Sequence, residues 1–313
     1  MTTAQPLAAE LIAVVVAVTA GEPRVLTIQD GTALPSGPFE LGHRSLQSGL
    51  RAWVEEQTHH PLGYVEQLYT FADRDRTWAG DERRAISVSY VGLTRETQPP
   101  TQHAAGWRNW YGYFPWEDHR SGSPPVIADL LAPALHSWAH AAPDTEAQSA
   151  RRRRGAITFG LDGRPWNEEL ILQRYELLYE AGLVPEAWRD RASPPPEGTP
   201  QLSPGLPMDS DHRRILATGI ARLRAKIKYR PVVFELMPDS FTLFQLQRAV
   251  EGIAGRAIHK QNFRRLVEQQ ELVEETGETT ALTGGRPAKL FRFRREVLAE
   301  RSVTGTKLPV VRA

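Results

Sequence analysis

The 313-residue sequence contains no cysteine, only three methionines and no long run of apolar residues. The absence of cysteine excludes disulfide bonds and thiolate zinc sites, and it agrees with a reducing compartment. The longest apolar run, Leu11 to Val18, has eight residues and no basic flank, which is typical of a buried strand rather than a membrane span or signal peptide. We therefore expect a cytoplasmic protein without membrane contact.

Charge of the two signs is nearly balanced over the chain but unevenly distributed along it. The net charge is +1, yet from residue 211 onward there are 20 Lys and Arg against 11 Asp and Glu. That segment carries a net charge of +9, which leaves −8 on residues 1–210. A basic C-terminal third favours a polyanionic partner, although a solvated basic surface would have the same composition.

The length is sufficient for two domains, and a proline-rich stretch separates them. Residues 191–207 contain six prolines, which is typical of an extended connector. We therefore assign residues 1–210 to a first domain. Residues 211–313, which begin with a long basic helix, form the second.

The first domain mixes strand-like and helix-like patterns. We expect strands at Leu11–Val18, Arg24–Ile28, Tyr64–Phe71 and Ile86–Leu93, and a helix over Ser45–Gln57. The stretch from 95 to 190 exceeds what such a domain needs and contains six of the eight tryptophans. We expect most of these to pack in an elaborated insertion, with stacking on an adenine as the alternative.

Two segments of the first domain resemble the Nudix box of diphosphate hydrolases. They are Gly37-Pro-Phe-Glu-Leu-Gly-His43 and Arg51-Ala-Trp-Val-Glu55-Glu56-Gln-Thr58. The glycine, the arginine and the final pair of glutamates fit the box. His43 and Ala52, however, stand where the box has glutamates, so the resemblance implies the fold and a nucleotide pocket without the full catalytic set.

The missing carboxylates matter because such hydrolysis needs Mg²⁺, which prefers oxygen ligands in octahedral geometry. Positions 52 and 56 share one helix face, so Ala52 and Glu56 offer one carboxylate where two are needed. We therefore predict no catalytic residue and no metal ligand. Arg51, Glu55 and Glu56 remain candidate effector-binding or structural residues, and the Arg51–Glu55 spacing is typical of an ion pair.

A run of four arginines, Arg151–Arg154, lies between the box and the proline-rich connector. Its polar flanks favour a solvated loop. A phosphate contact is the alternative interpretation.

The C-terminal segment has the element order of a winged helix-turn-helix. Thr242 and Gln245 have capping-box spacing and predict a helix to about Ile253, with Gly252 and Gly255 at its end and turn. A second, basic helix is expected from about His259 to Gln270.

A hairpin should follow the second helix and form a wing. Its strands are expected at Leu272–Glu275 and Leu290–Phe293, with a loop that ends in Thr283-Gly-Gly-Arg-Pro287. The candidate DNA contacts are Lys260, Gln261, Asn262, Arg264 and Arg265 on the helix, and Arg286 and Lys289 on the wing. The competing interpretation is a winged helix used only for protein contacts.

Taken together, the chain resembles a Nudix-related transcriptional regulator of NAD biosynthesis. The motifs that carry this resemblance are Tyr64-Val-Glu-Gln-Leu-Tyr-Thr-Phe71, Asp211-His-Arg-Arg-Ile215 with Arg222-Leu-Arg224, Phe241-Thr-Leu-Phe-Gln-Leu-Gln247, Asn262-Phe-Arg-Arg265 and Gly285-Arg-Pro287. The stretch from Trp107 to Glu117 resembles a longer branch of these regulators. The resemblance implies an α/β Nudix-like sandwich with an elaborated insertion, followed by an α+β winged helix-turn-helix domain.

The same resemblance implies a homodimeric repressor that binds double-stranded operator DNA and requires no cofactor. Its effector would be an adenine nucleotide: ADP-ribose, NAD or ATP. The principal alternative is an active Nudix hydrolase of ADP-ribose or a related dinucleotide. A protein-binding scaffold is a third hypothesis, and it predicts no sequence-selective affinity for DNA.

Overall fold

The computed structural model describes residues 8–72, 85–96, 105–191, 204–281, 287–294 and 296. Within these ranges, no helix is long and apolar enough to cross a membrane.

Most of the strands form one mixed six-stranded sheet. They are β1 (Ala8–Thr19), β2 (Glu22–Thr27), β3 (Ser36–Pro38), β4 (Tyr64–Phe71), β5 (Ala85–Leu93) and β6 (Gly106–Asn109). The strand order is β4-β5-β1-β2-β6, and β3 pairs with β1 off this path. Only the β1–β5 pair is parallel among these strand pairs of the described residues.

The central strand β1 is buried on both faces, which explains its continuous apolar sequence. Leu11, Ala13 and Val15 pack in one core cluster with helix α1 (Leu46–Thr58). Alternate residues such as Val14 point to the opposite face and join the larger core cluster. Helices therefore cover both faces of the sheet.

In the described residues, five helices lie along the chain between the sheet strands and the C-terminal part, and the last of them packs on the second face of the sheet. These helices are α2 (Ala132–His140), α3 (Thr145–Phe159), α4 (Ile171–Glu180), α5 (Pro185–Asp190) and α6 (His212–Lys226). Helix α6 packs against α4 and against β1, β4 and β5. Helix α6 approaches the sheet closely at Gly219, where an added β-carbon would lie only 2.8 Å from Val14 Cγ1.

The C-terminal part contains two helices and a hairpin. They are α7 (Leu243–Ala254), α8 (Lys260–Gln269), β7 (Val273–Thr280) and β8 (Ala288–Phe293). Strands β7 and β8 pair antiparallel, and Phe241 before α7 exchanges two backbone hydrogen bonds with Phe291 of β8. This order is that of a winged helix-turn-helix.

The predicted fold class is confirmed, with a mixed α/β sheet domain followed by a winged helix. The predicted strand Tyr64–Phe71 has the bounds of β4, and the predicted box helix corresponds to α1. The tryptophan-rich insertion is mainly helical, from α2 to α5.

Candidate nucleic-acid interface and Nudix-like box

Helix α7 begins at the predicted capping box. The Thr242 hydroxyl accepts the backbone N–H of Gln245 at 3.1 Å, and the Gln245 side chain accepts the Thr242 N–H at 2.7 Å. The helix ends at Gly255, whose φ of +69° is the left-handed conformation that glycine adopts without strain. The helix boundaries therefore follow from local sequence.

Helix α7 was predicted to run to about Ile253, and it ends at Ala254, so Gly252 lies in its last turn. Gly252 lies inside the helix, where a β-carbon would overlap the carbonyl oxygen of Gly21 at the β1–β2 turn. The glycine is required because two backbones approach each other closely there. It joins the winged helix to the sheet domain.

Helix α8 has one apolar and one polar face. Phe263 and Val267 are buried against the core, and Leu266 is half-buried. The exposed face carries Lys260, Gln261, Asn262, Arg264 and Arg265. In the described part of the chain, none of the three cations among them forms an ion pair.

These five side chains suit the major groove of DNA. Arginine and lysine bind guanine edges and phosphates, whereas asparagine and glutamine suit adenine edges. Cations without an acidic partner on the protein are available for phosphate without first breaking an internal pair. The structure thus brings together all five predicted residues of α8 on one exposed face.

The wing has a different electrostatic character. Lys289 Nζ lies 2.8 Å from Glu275 Oε1, and Arg292 pairs with Glu274 across the same hairpin. Lys289 therefore reaches a phosphate only if it leaves a paired carboxylate. Arg286, the other predicted wing contact, lies outside the described residues.

Most of the basic residues of α6 are buried or form ion pairs with other residues of the protein. Arg213 and Arg224 are fully buried, and Arg214 Nη2 lies 3.0 Å from Glu176 Oε1. Lys226 pairs with Glu66, and beyond the helix Lys228 Nζ lies 2.8 Å from Glu168 Oε1. Much of the positive charge that indicated a polyanionic partner therefore neutralises the acidic first domain.

A buried ionic cluster beneath the winged helix was not anticipated from the sequence. Glu117 is fully buried, and its Oε1 lies 2.5 Å from Arg174 Nε. Its Oε2 also accepts a hydrogen bond from Arg224. Burial raises the pKa of the Glu117 carboxyl, but the two guanidinium groups outweigh this effect and hold it below its ordinary value.

A signal for this cluster exists in the pattern of α6. Ile220, Leu223 and Ile227 define its apolar stripe, and Arg224 falls on that stripe instead of the polar face. An arginine on an apolar stripe implies a buried carboxylate partner, although the pattern does not identify which one.

The Nudix-like box begins in β3 and continues through the following loop into helix α1. Gly37 packs under the indole of Trp53, where a β-carbon would overlap the ring. His43 Nδ1 accepts the backbone N–H of Glu40 at 3.1 Å, and its ring makes an edge contact with Trp53 at 6.3 Å. His43 therefore stabilises the loop at the position where the box has a glutamate.

Ala52, Glu55 and Glu56 are exposed on α1. In the described ranges, no group of three or more His, Asp or Glu residues is arranged to hold a metal ion. A site with two paired glutamates offers Mg²⁺ two carboxylates. Positions 52 and 56 offer only one, that of Glu56.

The expected Arg51–Glu55 ion pair was wrong. The Arg51 guanidinium donates to the carbonyl of Gly63 at 2.9 Å and to the carbonyl of Leu62. These carbonyls lie in the connection between α1 and β4. Arg51 thus closes that connection, and a structural role explains it without an effector.

The arginine run Arg151–Arg154 is not a loop, because it lies within α3. Its neighbours support a helix: Asp144 caps the N-terminus by accepting the Ala147 N–H at 2.7 Å, and Gly160 ends the helix with a φ of +62°. Arg152 and Arg154 form ion pairs with residues of neighbouring segments. The run therefore belongs largely to a charged helical surface.

The tryptophans of the insertion are mainly packing residues, as expected. Trp110 and Trp116 are fully buried, and Trp107 is 9% exposed. The ring of Trp166 lies 3.7 Å from the Arg174 guanidinium and 3.9 Å from the ring of His119. These contacts use the ring faces that stacking on an adenine would need.

Comparison with known proteins identifies the C-terminal part directly. Residues 233–293 match the family described as NrtR DNA-binding winged helix domain. The chain is also 40% identical over 88 residues to the ADPR responsive transcriptional repressor NtrR of Acinetobacter baylyi. That match covers 28% of this chain and 35% of the relative, so it spans about a third of the relative's length.

Solved structures match almost the whole chain at lower identity. NrtR of Shewanella oneidensis, in a complex with a 27mer DNA, covers 96% of this chain and 97% of its own, with a TM-score of 0.55 and 19% identity. A MutT/nudix family protein from Enterococcus faecalis covers 94% and 89%, with a TM-score of 0.50 and 15% identity. At these identities the likeness concerns the fold. The predicted resemblance is therefore confirmed at that level: the chain has a Nudix-like domain followed by an NrtR-type winged helix domain.

Proposed function

We propose that this protein is a DNA-binding transcriptional repressor of NAD-biosynthesis genes, controlled by an adenine nucleotide. The observation that carries the proposal is the exposed face of α8, where three cations without acidic partners in the described residues flank Gln261 and Asn262. A helix with this face is suited to base edges and phosphates in a major groove. The match of residues 233–293 to a DNA-binding winged helix family supports the same conclusion.

The effector in this proposal is ADP-ribose, with NAD and ATP as further candidates. ADP-ribose is supported by the similarity to the ADPR responsive transcriptional repressor of Acinetobacter baylyi. The Nudix-like domain, residues 1–210, would bind the nucleotide, and residues 211–313 would bind DNA. No cofactor is needed for either step.

Winged-helix repressors commonly bind two half-sites as symmetric dimers, so we propose a homodimer on double-stranded operator DNA in the cytoplasm. The residues proposed to contact DNA are Lys260, Gln261, Asn262, Arg264 and Arg265 of α8, and Arg286 and Lys289 of the wing. Glu55 and Glu56 remain candidate effector contacts, while Arg51 is better explained by its carbonyl contacts.

The test is binding of the full-length protein to labelled promoter duplexes from NAD-biosynthesis genes, with and without ADP-ribose, NAD or ATP. We expect one promoter to compete specifically against unrelated DNA and one nucleotide to change its affinity. Equal affinity for all duplexes at physiological salt would contradict the proposal and would favour the scaffold hypothesis.

An active Nudix hydrolase remains the second candidate because Glu55 and Glu56 are exposed on the box helix. Ala52 and His43 count against it, since both positions lack a carboxylate. Mg²⁺-dependent release of AMP from ADP-ribose by the unaltered protein would support the hydrolase.

A further inference from the structure

The last turn of α7 is held by groups from outside the winged helix. The Tyr111 hydroxyl donates to the carbonyl of Gly252 at 2.6 Å, and Arg224 Nε donates to the carbonyl of Ile253 at 2.9 Å. The last carbonyls of a helix lack partners within the helix, so these donors satisfy groups that would otherwise be exposed or unpaired.

The turn after α7 is held in the same way. The backbone N–H of His119 donates to the carbonyl of Gly255 at 2.7 Å, and His119 and Arg256 form a parallel bridge. Helix α8 starts only four residues later, at Lys260. The direction in which α8 leaves the turn therefore depends on contacts with the tryptophan-rich segment and with α6.

Arg224 connects these contacts to Glu117. Its Nη1 donates to the Glu117 carboxylate and, at 2.9 Å, to the carbonyl of Glu168. Arg174 donates to both oxygens of the same carboxylate and, at 2.8 Å, to the carbonyl of Thr158. Glu117 thus fixes the guanidinium that binds the end of α7 without itself touching the exposed face of α8.

We propose that Glu117 is a positioning residue for DNA binding, which acts through Arg224 to orient the turn between α7 and the recognition helix α8. The inference rests on the proposed function. It predicts that a neutral side chain at position 117 changes operator affinity although the DNA-facing side chains are unaltered.

A second buried pair on the same helix provides a matched control. Arg213 is as buried as Arg224 and lies 3.4 Å from Oε2 of Glu186, which is 1% exposed. Arg213 donates to carbonyls at Tyr113 and Pro204, none of which belongs to the winged helix. A neutral residue at 186 disturbs a buried ion pair of α6 without touching the end of α7.

The experiment compares Glu117→Gln with Glu186→Gln in the full-length protein. Fluorescence anisotropy on the promoter duplex gives the affinity, and its salt dependence reports the number of phosphate contacts. We expect Glu117→Gln to bind roughly tenfold more weakly with an unchanged salt slope, as the loss of a charged hydrogen-bond anchor implies. Glu186→Gln should keep the wild-type affinity.

Hydrogen exchange measured without DNA separates this inference from the proposed function. In Glu117→Gln, amides at the end of α7 and the start of α8 should exchange faster than in Glu186→Gln. If Glu117→Gln does not fold, Tyr111→Phe is used in its place. This substitution removes only the hydroxyl that binds Gly252, and it should produce the same local change. Identical exchange in this region for all variants, or an equal loss of affinity in both glutamine variants, would overturn the inference.

Discussion

Gly252 of α7 lies directly against the carbonyl oxygen of Gly21 in the β1–β2 turn. We expect Gly252→Ala to destabilise the protein because the added methyl group overlaps a backbone atom, and such overpacking costs about 1–3 kcal/mol. Denaturant unfolding monitored by tryptophan fluorescence measures this change. Gly155→Ala on α3 is the matched control: nothing lies within 4 Å of its added β-carbon, and it should stabilise the helix by about 0.5–1 kcal/mol. Equal effects of both substitutions would contradict the close contact.

Arg264 on the exposed face of α8 is expected to contribute to DNA affinity but not to folding. Arg264→Ala should weaken operator binding, by about 1–3 kcal/mol if it contacts a guanine, and leave the unfolding midpoint unchanged. Anisotropy at two or more salt concentrations distinguishes the two kinds of contact. A smaller salt slope indicates a lost phosphate contact, whereas relaxed sequence preference indicates a lost base contact. Arg222→Ala, an exposed arginine on α6, is the control and should change neither quantity.

Ala52→Glu is expected to restore part of a divalent-cation site. The new carboxylate would stand four residues before Glu56 on the same exposed face of α1. Calorimetric titration with Mg²⁺ should show binding in the variant and none in the unaltered protein. Adding Glu56→Gln to the variant should remove that binding again. Tight Mg²⁺ binding by the unaltered protein would reject the degenerate interpretation of the box.

Arg51→Ala separates a structural role from an effector role. Because its guanidinium binds the carbonyls before β4, we expect a loss of about 1 kcal/mol of stability, in the range of a modest hydrogen bond. Unfolding experiments and nucleotide titrations measure the two roles independently. A normal midpoint combined with weakened nucleotide binding would reverse our assignment. Arg44→Ala, which changes an exposed arginine shortly before the same helix, serves as the control.

Stability should decrease on moderate acidification. Burial lowers the pKa of His60 and of His119 below the ordinary value of about 6.5, so the folded protein keeps both rings neutral. The unfolded chain takes up protons as the pH falls through about 6.5, and the folded state resists this until lower pH. The contribution of the two histidines to the free energy of unfolding should thus be fully present above that pH and decrease below it. Unfolding at pH 8, 6.5 and 5.5 measures the decline, and His60→Gln should make it shallower.

Local patterns predicted the elements of the fold well because each has its signal within a few neighbouring residues. The capping box at Thr242, the left-handed Gly255 and the continuous apolar run Leu11–Val18 all operate at that range. They were sufficient to place the exposed residues of α8, since a helix with two buried residues four apart has only one exposed face.

Long-range contacts were not predictable in the same way. The partner of Arg224 is Glu117, separated by 107 residues, and the reason for Gly252 is a carbonyl 231 residues earlier. Arg51 illustrates the same difficulty at short range, because both a carboxylate on its own helix and the carbonyls before β4 are within its reach. Spacing alone does not decide between two acceptors.

The external capping of α7 also limits how the protein can be divided. Residues 233–293 match a recognised domain family, yet the carbonyls at the end of α7 depend on donors at positions 111, 119 and 224, outside that segment. If the segment is excised, or grafted onto another sensor, the carbonyls at the end of α7 lose these donors and become exposed to water. Residues 233–293 are thus a distinct segment in sequence, but their structure depends on the rest of the protein. A change of specificity is therefore better made on the exposed face of α8 than by exchange of the whole domain.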